Sequence, residues 1–558
     1  MMDRHYPFWP KRVPKTLTVP KTTLFDNLKV SAQRYPDKTA IVYYGRSISY
    51  RDLLNEVNAL AGFLQREWSV SAGDRILLDL QNSPQFVIAF YAILRANAVV
   101  VPINPMNLTE ELAFYIEDAQ AEVAIVGQEL YDRIAPLKQG QTGLKHVLVA
   151  AYSDYVSPDM EYECPDMVTA PRQHIREEGV VLWQDALQHG SQPGPLTADS
   201  DDMAVLPYTS GTTGRPKGCI HTHATVQANA VGASVWANMT ADAVVLGTLP
   251  FFHVTGMQHS MNAPIYAGST MVIMSRWDRD VAGKLIQEYG CTHWTNISTM
   301  VVDFLSNPNL SKYKLDTLNT INGGGAPLPE AVGQKLYEMT GLYYAEGYGL
   351  TETMAQTHFN PPDRPKLQCM GIPSFDVDAR IVDPETLKEL GPGEEGEVIV
   401  SGPQVLKGYW NRPKENQESF VTIEGKSFFR TGDIAKYDEE GYFFMVDRIK
   451  RMINASGYKV WPTEVESILY KHPAVQQACV IGVPDPRRGE TVKAFIILNE
   501  KDQGKVTEQD IIEWSKGKMA AYKYPRIVEF VESLPLSGSG KILWRKLQEE
   551  ELKKRRGH

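Results

Sequence analysis

The sequence predicts an α/β protein with largely parallel sheets, followed by a more antiparallel region. Short apolar runs alternate with amphipathic helical segments through the middle of the chain, which is the pattern of parallel sheets layered with helices. After about Pro384 glycine-rich turns separate short strands, as in residues 391–403, GPGEEGEVIVSGP, and this pattern favours antiparallel pairing. At 558 residues the chain is too long for one hydrophobic core, so two or more domains are expected.

The elements of the α/β region follow in order after a turn at residues 71–74. An apolar run over 75–80 predicts a strand, residues 83–96 predict a helix, and 98–103 predict the next strand. Three further apolar stretches bounded by turn signals continue the alternation, at residues 202–208, 243–249 and 271–274. In the later region residues 438–448, DEEGYFFMVDR, are typical of a hairpin, and the charged segment 447–457 is the predicted domain boundary.

Charge and cysteine content exclude several classes of protein. The net charge of −10 gives no reason to expect nucleic acid as the main partner, so any phosphate binding has to be local. The five cysteines are widely spaced and form no CxxC pair, which favours a reducing, cytoplasmic location without structural zinc. The amino terminus has no apolar signal-peptide core, and the apolar stretch 87–103 is interrupted by Arg95 and Asn97. We therefore predict no signal peptide and no membrane span.

Residues 208–218, YTSGTTGRPKG, combine small hydroxyl side chains, three glycines and a lysine after an apolar run. Glycines let backbone amides approach an anion, hydroxyls donate hydrogen bonds, and Lys217 supplies positive charge. The spacing does not fit a Walker loop. Taken alone, the segment is equally consistent with a phosphate-binding loop and with a flexible surface turn.

A second pair of segments suits a nucleotide base. Residues 322–329 read NGGGAPLP and residues 345–353 read AEGYGLTET. Tyr348 offers a ring face for a purine, and its flanking glycines, Gly347 and Gly349, permit close backbone approach. Thr351 can donate to an α-phosphate and Glu352 is an oxygen ligand suited to Mg²⁺. The alternative is a glycine turn beside a core tyrosine.

Three more segments complete an ordered series. They are residues 428–448, FFRTGDIAKYDEEGYFFMVDR, residues 447–457, DRIKRMINASG, and residues 534–547, LPLSGSGKILWRKL. Taken alone, Asp433 is an ordinary turn aspartate and the charges of 447–457 are a solvated linker. The whole series, however, resembles the motifs of the adenylate-forming superfamily, which comprises acyl-CoA synthetases, luciferases and the adenylation domains of peptide synthetases.

The resemblance covers the chain from about residue 24 to residue 547 and implies a fold. It predicts a large amino-terminal domain of sandwiched α/β subdomains with a β-rich subdomain, followed by a small mobile α+β carboxyl-terminal domain. The implied domains are residues 1–449 and 450–558, with the hinge at Lys450. By the same resemblance one arrangement of the small domain forms an acyl-adenylate and the other forms a thioester.

The resemblance also implies roles for individual residues. Lys541 is the implied catalytic lysine, Lys217 neutralises phosphate charge, and Gly457 lets the pantetheine arm of CoA pass. Thr212 and Glu352 are the implied Mg²⁺ ligands. The residues implied to bind ATP or AMP are Thr209, Ser210, Gly211, Thr212, Thr213, Gly214, Lys217, Gly325, Ala326, Pro327, Glu346, Gly347, Tyr348, Gly349, Thr351, Asp433, Arg448 and Lys541.

The residues implied to line the acyl pocket are mostly apolar. They are His253, Val254, Gly256, Met257, Trp294, Gly325 and Met354. This set contains no cation for a second carboxylate and favours a hydrocarbon tail or an aromatic ring. His253 stands where adenylation domains usually carry an aspartate for a substrate amino group, which argues against an amino acid. The alternative role for His253 is that of a core histidine.

Within the superfamily the motifs look most like those of medium- and long-chain fatty acyl-CoA synthetases. The resemblance thus implies an acid:CoA ligase that uses ATP, Mg²⁺ and coenzyme A and acts on a fatty acid. An aryl acid of the coumarate or benzoate type, a luciferase-like enzyme and a ligase that loads a carrier protein are the alternatives. The expected partners are the carboxylic acid, ATP and CoA, without nucleic acid. A homodimer is possible because members of the family are often dimers.

Overall fold

The computed structural model describes residues 4–138, 140, 142–209, 215–325, 327–455, 458–536 and 542–556, with residues 555 and 556 described by backbone only. The strands are β1 (Thr39–Tyr43), β2 (Arg46–Ser49), β3 (Arg75–Asp79), β4 (Val99–Pro102), β5 (Val123–Gly127), β6 (His146–Ala150), β7 (Val180–Leu182), β8 (Met203–Val205), β9 (His221–Thr222), β10 (Val244–Gly247), β11 (Thr270–Ile273), β12 (His293–Asn296), β13 (Thr320–Gly324), β14 (Ala345–Leu350), β15 (Ala355–Phe359), β16 (Ile372–Pro373), β17 (Asp378–Val382), β18 (Gly396–Ser401), β19 (Phe420–Ile423), β20 (Lys426–Tyr437), β21 (Phe443–Arg448), β22 (Ile453–Ala455), β23 (Tyr458–Val460), β24 (Val475–Asp485), β25 (Gly489–Leu498) and β26 (Ile527–Phe530). The helices are α1 (Leu24–Arg34), α2 (Tyr50–Glu67), α3 (Pro84–Arg95), α4 (Thr109–Ala119), α5 (Tyr131–Lys138), α6 (Asp166–Thr169), α7 (Trp183–Gln188), α8 (His223–Trp236), α9 (Val254–Met257), α10 (Ala263–Ala267), α11 (Arg279–Tyr289), α12 (Ser298–Leu305), α13 (Glu330–Thr340), α14 (Pro413–Ser419), α15 (Pro462–Leu469), α16 (Glu508–Lys516) and α17 (Trp544–Arg556).

Two large sheets with helices around them build the first part of the chain. Within the described residues, one sheet has the strand order β7-β6-β5-β3-β4-β8-β9 and is parallel except for the pair β8–β9. The other has the order β16-β15-β14-β13-β12-β10-β11-β1-β2, with a parallel centre and antiparallel edges. The predicted α/β layering is confirmed, and each of the five predicted strands is present, with ends that differ by at most three residues from the predicted ones.

Helix α3 shows why the prediction for residues 83–96 holds. The Ser83 hydroxyl accepts a hydrogen bond from the backbone N–H of Phe86 at 3.2 Å, and Pro84 occupies the first helical position, where its missing N–H costs nothing. The helix is buried from Pro84 to Leu94 between neighbouring layers. A helix that is apolar on all its faces is buried on all sides, as the sequence of α3 predicts.

A separate antiparallel sheet follows, with the order β17-β18-β20-β19 and with β21 added to β20. The predicted hairpin is confirmed, since β20 and β21 are joined by a turn at residues 438–442. The antiparallel region begins at Asp378, slightly before the predicted change near Pro384, because β17 pairs with β18 across the intervening turn.

The last part of the described chain has its own sheet and core. The order is β23-β22-β25-β24, with β26 parallel to β25. Buried residues of α15 and α16, among them Val465, Leu469 and Ile511, pack on Val480 and Ile496 of the sheet. This is the α+β character that the sequence implied. Among the described helices none combines the length and the apolar character needed to cross a bilayer.

Candidate functional site

The two ends of the predicted phosphate loop are held together by backbone pairing. The Thr209 N–H donates to the Lys217 carbonyl at 3.0 Å, and the Lys217 N–H donates to the Thr209 hydroxyl at 3.1 Å. Tyr208 pairs with Gly218 in the same stem. The stem fixes the backbone of Lys217. The other predicted residues of this loop, Ser210, Gly211, Thr212, Thr213 and Gly214, lie outside the described residues.

A segment that sequence analysis missed continues this stem. Residues 407–410, KGYW, pair with residues 218–220: the Trp410 N–H donates to the Gly218 carbonyl at 2.8 Å, and the Ile220 N–H donates to the Gly408 carbonyl at 2.9 Å. The antiparallel subdomain is thereby attached to the phosphate loop. A glycine followed by two aromatic residues after β18 was the available sequence signal.

Asp118 at the end of α4 joins three parts of the chain. Its Oδ2 accepts from the Tyr208 hydroxyl at 2.8 Å, and its Oδ1 accepts from Arg412 at 2.5 Å. The Asp118 carbonyl accepts from the Trp410 indole N–H at 2.9 Å. This aspartate therefore fixes the phosphate-loop stem against both α4 and the segment 407–412.

Asp118→Ala is expected to lower the free energy of unfolding by about 2–3 kcal/mol, because two part-buried partners lose their acceptor. Urea denaturation measures this change. The matched control is Asp37→Ala, which removes the exposed pair with Arg51 and is expected to cost about 0.5 kcal/mol or less. Equal losses in the two variants would contradict a clamping role for Asp118.

Lys217 and Glu352 both contact one buried tyrosine, Tyr409, the lysine at the ring and the glutamate at the hydroxyl. The Lys217 Nζ lies 4.1 Å from the centroid of the Tyr409 ring. The Tyr409 hydroxyl donates to Glu352 Oε1 at 2.8 Å. The main chain of Glu352 is held as well, since its carbonyl accepts from the Leu406 N–H at 2.8 Å.

The turn that carries Thr351 and Glu352 is held in place by hydrogen bonds from buried side chains. The His221 Nε2–H donates to the Thr351 carbonyl at 2.8 Å, and burial lowers the pKa of His221 to about 4, so the ring is neutral. The Asn229 amide donates to the carbonyls of Thr353 and Met354 at 2.9 and 2.8 Å. Met354 has φ 48°, a left-handed conformation that costs free energy outside glycine and that this network maintains.

Tyr348, Asp433 and Arg448 form one hydrogen-bonded group. Asp433, only 1% exposed, accepts from the Tyr348 hydroxyl at 2.6 Å on Oδ2 and from Arg448 Nε at 3.0 Å on Oδ1. The hairpin sets this pair, because Asp433 and Arg448 are directly opposed in the β20–β21 register. Burial raises the pKa of Tyr348, and the charge of Asp433 raises the pKa of Arg448.

The ring of Tyr348 packs edgewise on His358, with ring centroids 5.7 Å apart. Burial lowers the pKa of His358 to about 3. Next to this tyrosine, Glu346 Oε1 accepts from the backbone N–H groups of Leu328 and Gln368 at 3.0 and 3.1 Å. Burial raises the pKa of Glu346 to about 7. Glu346 therefore ties the segment after β13 to β14.

The two glycines that flank Tyr348 are both close to the neighbouring strand. A Cβ on Gly349 would stand 1.7 Å from the Ala355 carbonyl oxygen. Packing against β15 by itself therefore requires glycine at this position, and the approach of a base stays a prediction. A Cβ on Gly347 would stand 3.1 Å from the His358 carbonyl oxygen. Gly325 and Pro327 are exposed on the loop after β13, and Ala326 between them is outside the described residues.

The predicted acyl-pocket residues lie on a buried helical segment and on β12. His253 caps the segment by accepting from the Thr255 N–H at 3.3 Å, and Val254, Gly256 and Met257 follow it as buried residues. A Cβ on Gly256 would lie 2.3 Å from the Pro250 carbonyl oxygen, so this glycine is needed for packing. The helix continues through a π turn at Gln258–Asn262, a feature often found at functional sites.

Trp294 lies in the hydrophobic core. It is 1% exposed, stacks on Trp277 with centroids 5.6 Å apart, and donates from its indole N–H to the Thr248 hydroxyl at 3.1 Å. These contacts assign Trp294 to the core. Met354 is likewise buried.

The predicted hinge lies in a short 3-10 turn at Ile449–Arg451. Burial lowers the pKa of Lys450, and the nearby charges of Lys217 and Arg545 lower this pKa further. Lys217 and Arg545 thus lie near enough to Lys450 to repel its charge, and Arg545, which pairs with Glu549 at 2.9 Å, is a cation that sequence analysis did not assign. Lys541 and Gly457 lie outside the described residues.

The residues that flank the predicted hinge are bonded to helix α15. Asp447 Oδ2 accepts from the Thr463 N–H at 2.7 Å. Arg451 pairs with Glu466 at 2.5 Å and with Asp447 at 3.8 Å. The residues on both sides of Lys450 are thus fixed to α15.

Comparison with known proteins places this site in a family. The family described as AMP-binding enzyme matches residues 28–410, and the AMP-binding enzyme C-terminal domain matches residues 464–541. The chain is 37% identical over 552 residues to a long-chain-fatty-acid–CoA ligase of Bacillus subtilis (strain 168), covering 97% of each chain. It is 33% identical over 518 residues to a feruloyl-CoA synthase of Amycolatopsis sp, covering 92% of this chain and 96% of that protein.

One solved protein is similar in two states. ATP-bound MatB from Rhodopseudomonas palustris is 29% identical, with a TM-score of 0.83 over 95% of this chain and 99% of that one. Apo MatB gives a TM-score of 0.72 at the same identity and coverage. The resemblance inferred from the motifs is confirmed: the chain belongs to the AMP-binding enzyme family of adenylate-forming enzymes and is most like the fatty acyl-CoA synthetases within it.

Proposed function

We propose that this protein is an AMP-forming acyl-CoA synthetase that joins a medium- or long-chain fatty acid to coenzyme A at the expense of ATP. The observation that carries this function is the near full-length similarity to a long-chain-fatty-acid–CoA ligase, combined with intact groups for the nucleotide and phosphates. The carboxylate attacks the α-phosphorus of ATP, pyrophosphate leaves, and the acyl-adenylate forms. The CoA thiol then attacks the acyl carbonyl and AMP leaves.

The Tyr348–Asp433–Arg448 group binds the nucleoside in this proposal. A carboxylate has about four acceptor positions, and Tyr348 and Arg448 use one on each oxygen of Asp433. Two positions remain for the vicinal ribose hydroxyls, while the Tyr348 ring offers a face for adenine. This count supports Asp433 as the ribose-binding residue.

The phosphates bind where the cations converge. Burial, and then the charges of Lys217 and Arg545, lower the pKa of Lys450, and such repulsion between cations is relieved when an anion is bound. Polyphosphate supplies that anion, and these cations stabilise the charge that develops as pyrophosphate departs. Lys541 acts at the same centre by its motif position, together with Ser210, Gly211, Thr212, Thr213 and Gly214 of the phosphate loop.

The residues present suit an Mg²⁺ ion that takes most of its ligands from the nucleotide. Glu352 is a half-buried oxygen ligand beside this centre, and its charge reaches Arg448. Among the described residues there is no group of three or more His, Cys, Asp or Glu side chains that could hold a metal. Mg²⁺ commonly binds through one or two carboxylates plus substrate phosphates. Glu352, with Thr212, would hold an ion whose chemistry here is to neutralise phosphate charge.

The division into domains at Lys450 is part of the proposal. The TM-score is 0.83 with ATP-bound MatB and 0.72 with apo MatB, at the same identity and coverage. The higher score with ATP-bound MatB supports an arrangement of this chain that suits adenylate formation, with Lys450 near Lys217. A swing of residues 450–558 would withdraw Lys541 and bring Gly457 to the thiol path. Cytoplasmic location and a homodimer stay predictions from the sequence.

The test of function is AMP release with ATP, Mg²⁺ and CoA across acids from acetate to palmitate, with benzoate and coumarate added. We expect a maximum at medium or long chains. A maximum with an aryl acid would favour the second candidate, which the similarity to a feruloyl-CoA synthase supports. Adenylation without CoA-dependent AMP release would favour a carrier-loading or luciferase-like enzyme and would contradict the proposal.

A further inference from the structure

Tyr409 lies between the two charged groups that the proposed function assigns to phosphate and to Mg²⁺. It is 3% exposed and belongs to the segment that pairs with the phosphate-loop stem. Its ring meets the ammonium of Lys217 and its hydroxyl meets the carboxylate of Glu352. In the described part of the chain, the Lys217 ammonium and the Glu352 carboxylate each contact Tyr409 and form no ion pair with each other.

The hydroxyl of Tyr409 fixes the orientation of Glu352. It donates to Glu352 Oε1 at 2.8 Å, and a hydrogen bond to a charged acceptor is stronger than one between neutral groups. A phenol keeps its proton at neutral pH and a carboxylate oxygen can only accept, so the Tyr409 hydroxyl is the donor in this bond. The second carboxylate oxygen is then directed by the bond to the first.

The ring of Tyr409 fixes the position of the Lys217 ammonium. A cation centred over an aromatic face is attracted by the negative face of the ring, and the Nζ lies 4.1 Å from the ring centroid. The ring and the hydroxyl of Tyr409 thus hold the two opposite charges at different points of one side chain.

The backbone of Tyr409 is itself fixed, so its side chain can act as a reference point. The Asn416 Oδ1 accepts from the Tyr409 N–H at 2.6 Å, and the Asn416 amide donates to the Tyr409 carbonyl at 3.1 Å. Cys219 pairs with Tyr409 from the phosphate-loop side. These three contacts hold the backbone of Tyr409 in place, and the ring extends from that fixed backbone.

We propose that Tyr409 is a positioning residue that holds the Glu352 carboxylate and the Lys217 ammonium at a fixed separation, so that one can bind Mg²⁺ and the other the polyphosphate of the same nucleotide. This inference rests on the proposed function and adds a residue to its site. It also gives the contact between the antiparallel subdomain and the phosphate loop a role in aligning the ligands of MgATP.

The test separates the hydroxyl from the ring. Tyr409→Phe keeps the ring over Lys217 and removes the donor to Glu352, whereas Tyr409→Leu removes both. ATP binding is measured by calorimetry at a series of Mg²⁺ concentrations, without acid or CoA, so that no turnover occurs. For Tyr409→Phe we expect the Mg²⁺ concentration that gives half-maximal binding to increase about tenfold, while binding of metal-free ATP changes less than about twofold. For Tyr409→Leu metal-free ATP binding is expected to weaken several-fold as well.

The matched control is Tyr437→Phe. Tyr437 is equally buried at 3% exposure, belongs to the same subdomain core, and loses a comparable hydrogen bond, to the Leu390 carbonyl at 3.0 Å. A purely structural tyrosine lowers the melting temperature without changing the Mg²⁺ dependence, and this is the expected behaviour of Tyr437→Phe. The same behaviour in Tyr409→Phe would overturn the inference.

Two further outcomes keep the test decisive. If Tyr409→Phe does not fold, Asn416→Ala loosens the same side chain through its backbone, and an unchanged Mg²⁺ dependence in that variant would also overturn the inference. If the wild-type protein binds no ATP at any Mg²⁺ concentration, the proposed function itself fails. Binding by the wild type with no difference between Tyr409→Phe and Tyr437→Phe leaves the proposed function standing and removes only Tyr409 from the site.

Discussion

Lys541→Ala is expected to slow pyrophosphate exchange by about 10²–10³-fold, because an ammonium aimed at developing phosphate charge is lost from the transition state. Formation of the thioester from supplied acyl-adenylate is expected to stay within about threefold, since that step no longer releases pyrophosphate. Separate assays of the two half-reactions measure the difference. The expectation rests on the motif at 534–547, as the lysine lies outside the described residues.

The control for this lysine is Lys553→Ala. Lys553 is an exposed residue of α17, so its removal changes the net charge equally but leaves the reacting atoms untouched. Both half-reactions should proceed at wild-type rates in this variant. An equal loss of both half-reactions in Lys541→Ala would contradict the proposed division of labour between two arrangements of the small domain.

Asp433→Asn is expected to weaken ATP binding by about 100-fold. Hydrogen bonds to charged groups contribute about 1.5–3 kcal/mol each, and the loss of roughly 3 kcal/mol at the two ribose hydroxyls corresponds to this factor. The asparagine keeps the volume of the buried side chain and one acceptor for Arg448 or Tyr348. Calorimetric titration with ATP in Mg²⁺ measures the change, and 2′-deoxy-ATP should lose less affinity on substitution than ATP does.

The control for Asp433 comes from the other end of the same hairpin. Asp438 pairs with Lys366 at 2.5 Å and accepts from the N–H groups of Glu440 and Tyr442 at 3.0 Å. Asp438→Asn is therefore expected to lower the unfolding temperature while ATP affinity stays within about twofold. Similar ATP affinities for the two variants would exclude Asp433 as a ribose ligand.

Local patterns predicted most of the fold. The helix at 83–96 and the strands around it are buried on all sides. The residues of such a segment predict both where it begins and ends and that it is buried. The hairpin at 438–448 was predicted in the same way, from turn residues between two apolar runs. The start of the antiparallel sheet was placed too late because β17 is defined by its pairing with β18 and not by its composition.

The candidate site was predicted only in part. Thr209, Lys217, Tyr348, Glu352, Asp433 and Arg448 were named from motifs and lie in contact groups that suit a nucleotide. Gly256, Gly349 and Trp294 were predicted to contact ligands, and the structure adds close backbone approach at the two glycines and core stacking at Trp294, which restrict these positions by themselves. A motif identifies a position that tolerates few residues, but not whether a ligand or a neighbouring strand imposes the restriction.

By itself, the sequence determined the α/β layering, the antiparallel subdomain, the family and the main chemical groups of the site, because apolar periodicity and motif chemistry are encoded in neighbouring residues. Only the tertiary structure placed Tyr409 on Glu352, 57 residues away, and Arg412 on Asp118, 294 residues away. A hydrogen bond requires a donor and an acceptor within about 3 Å at a favourable angle. No local pattern states which distant side chains meet that condition, so the residues that position the charges became visible only once the sheets had brought the segments together.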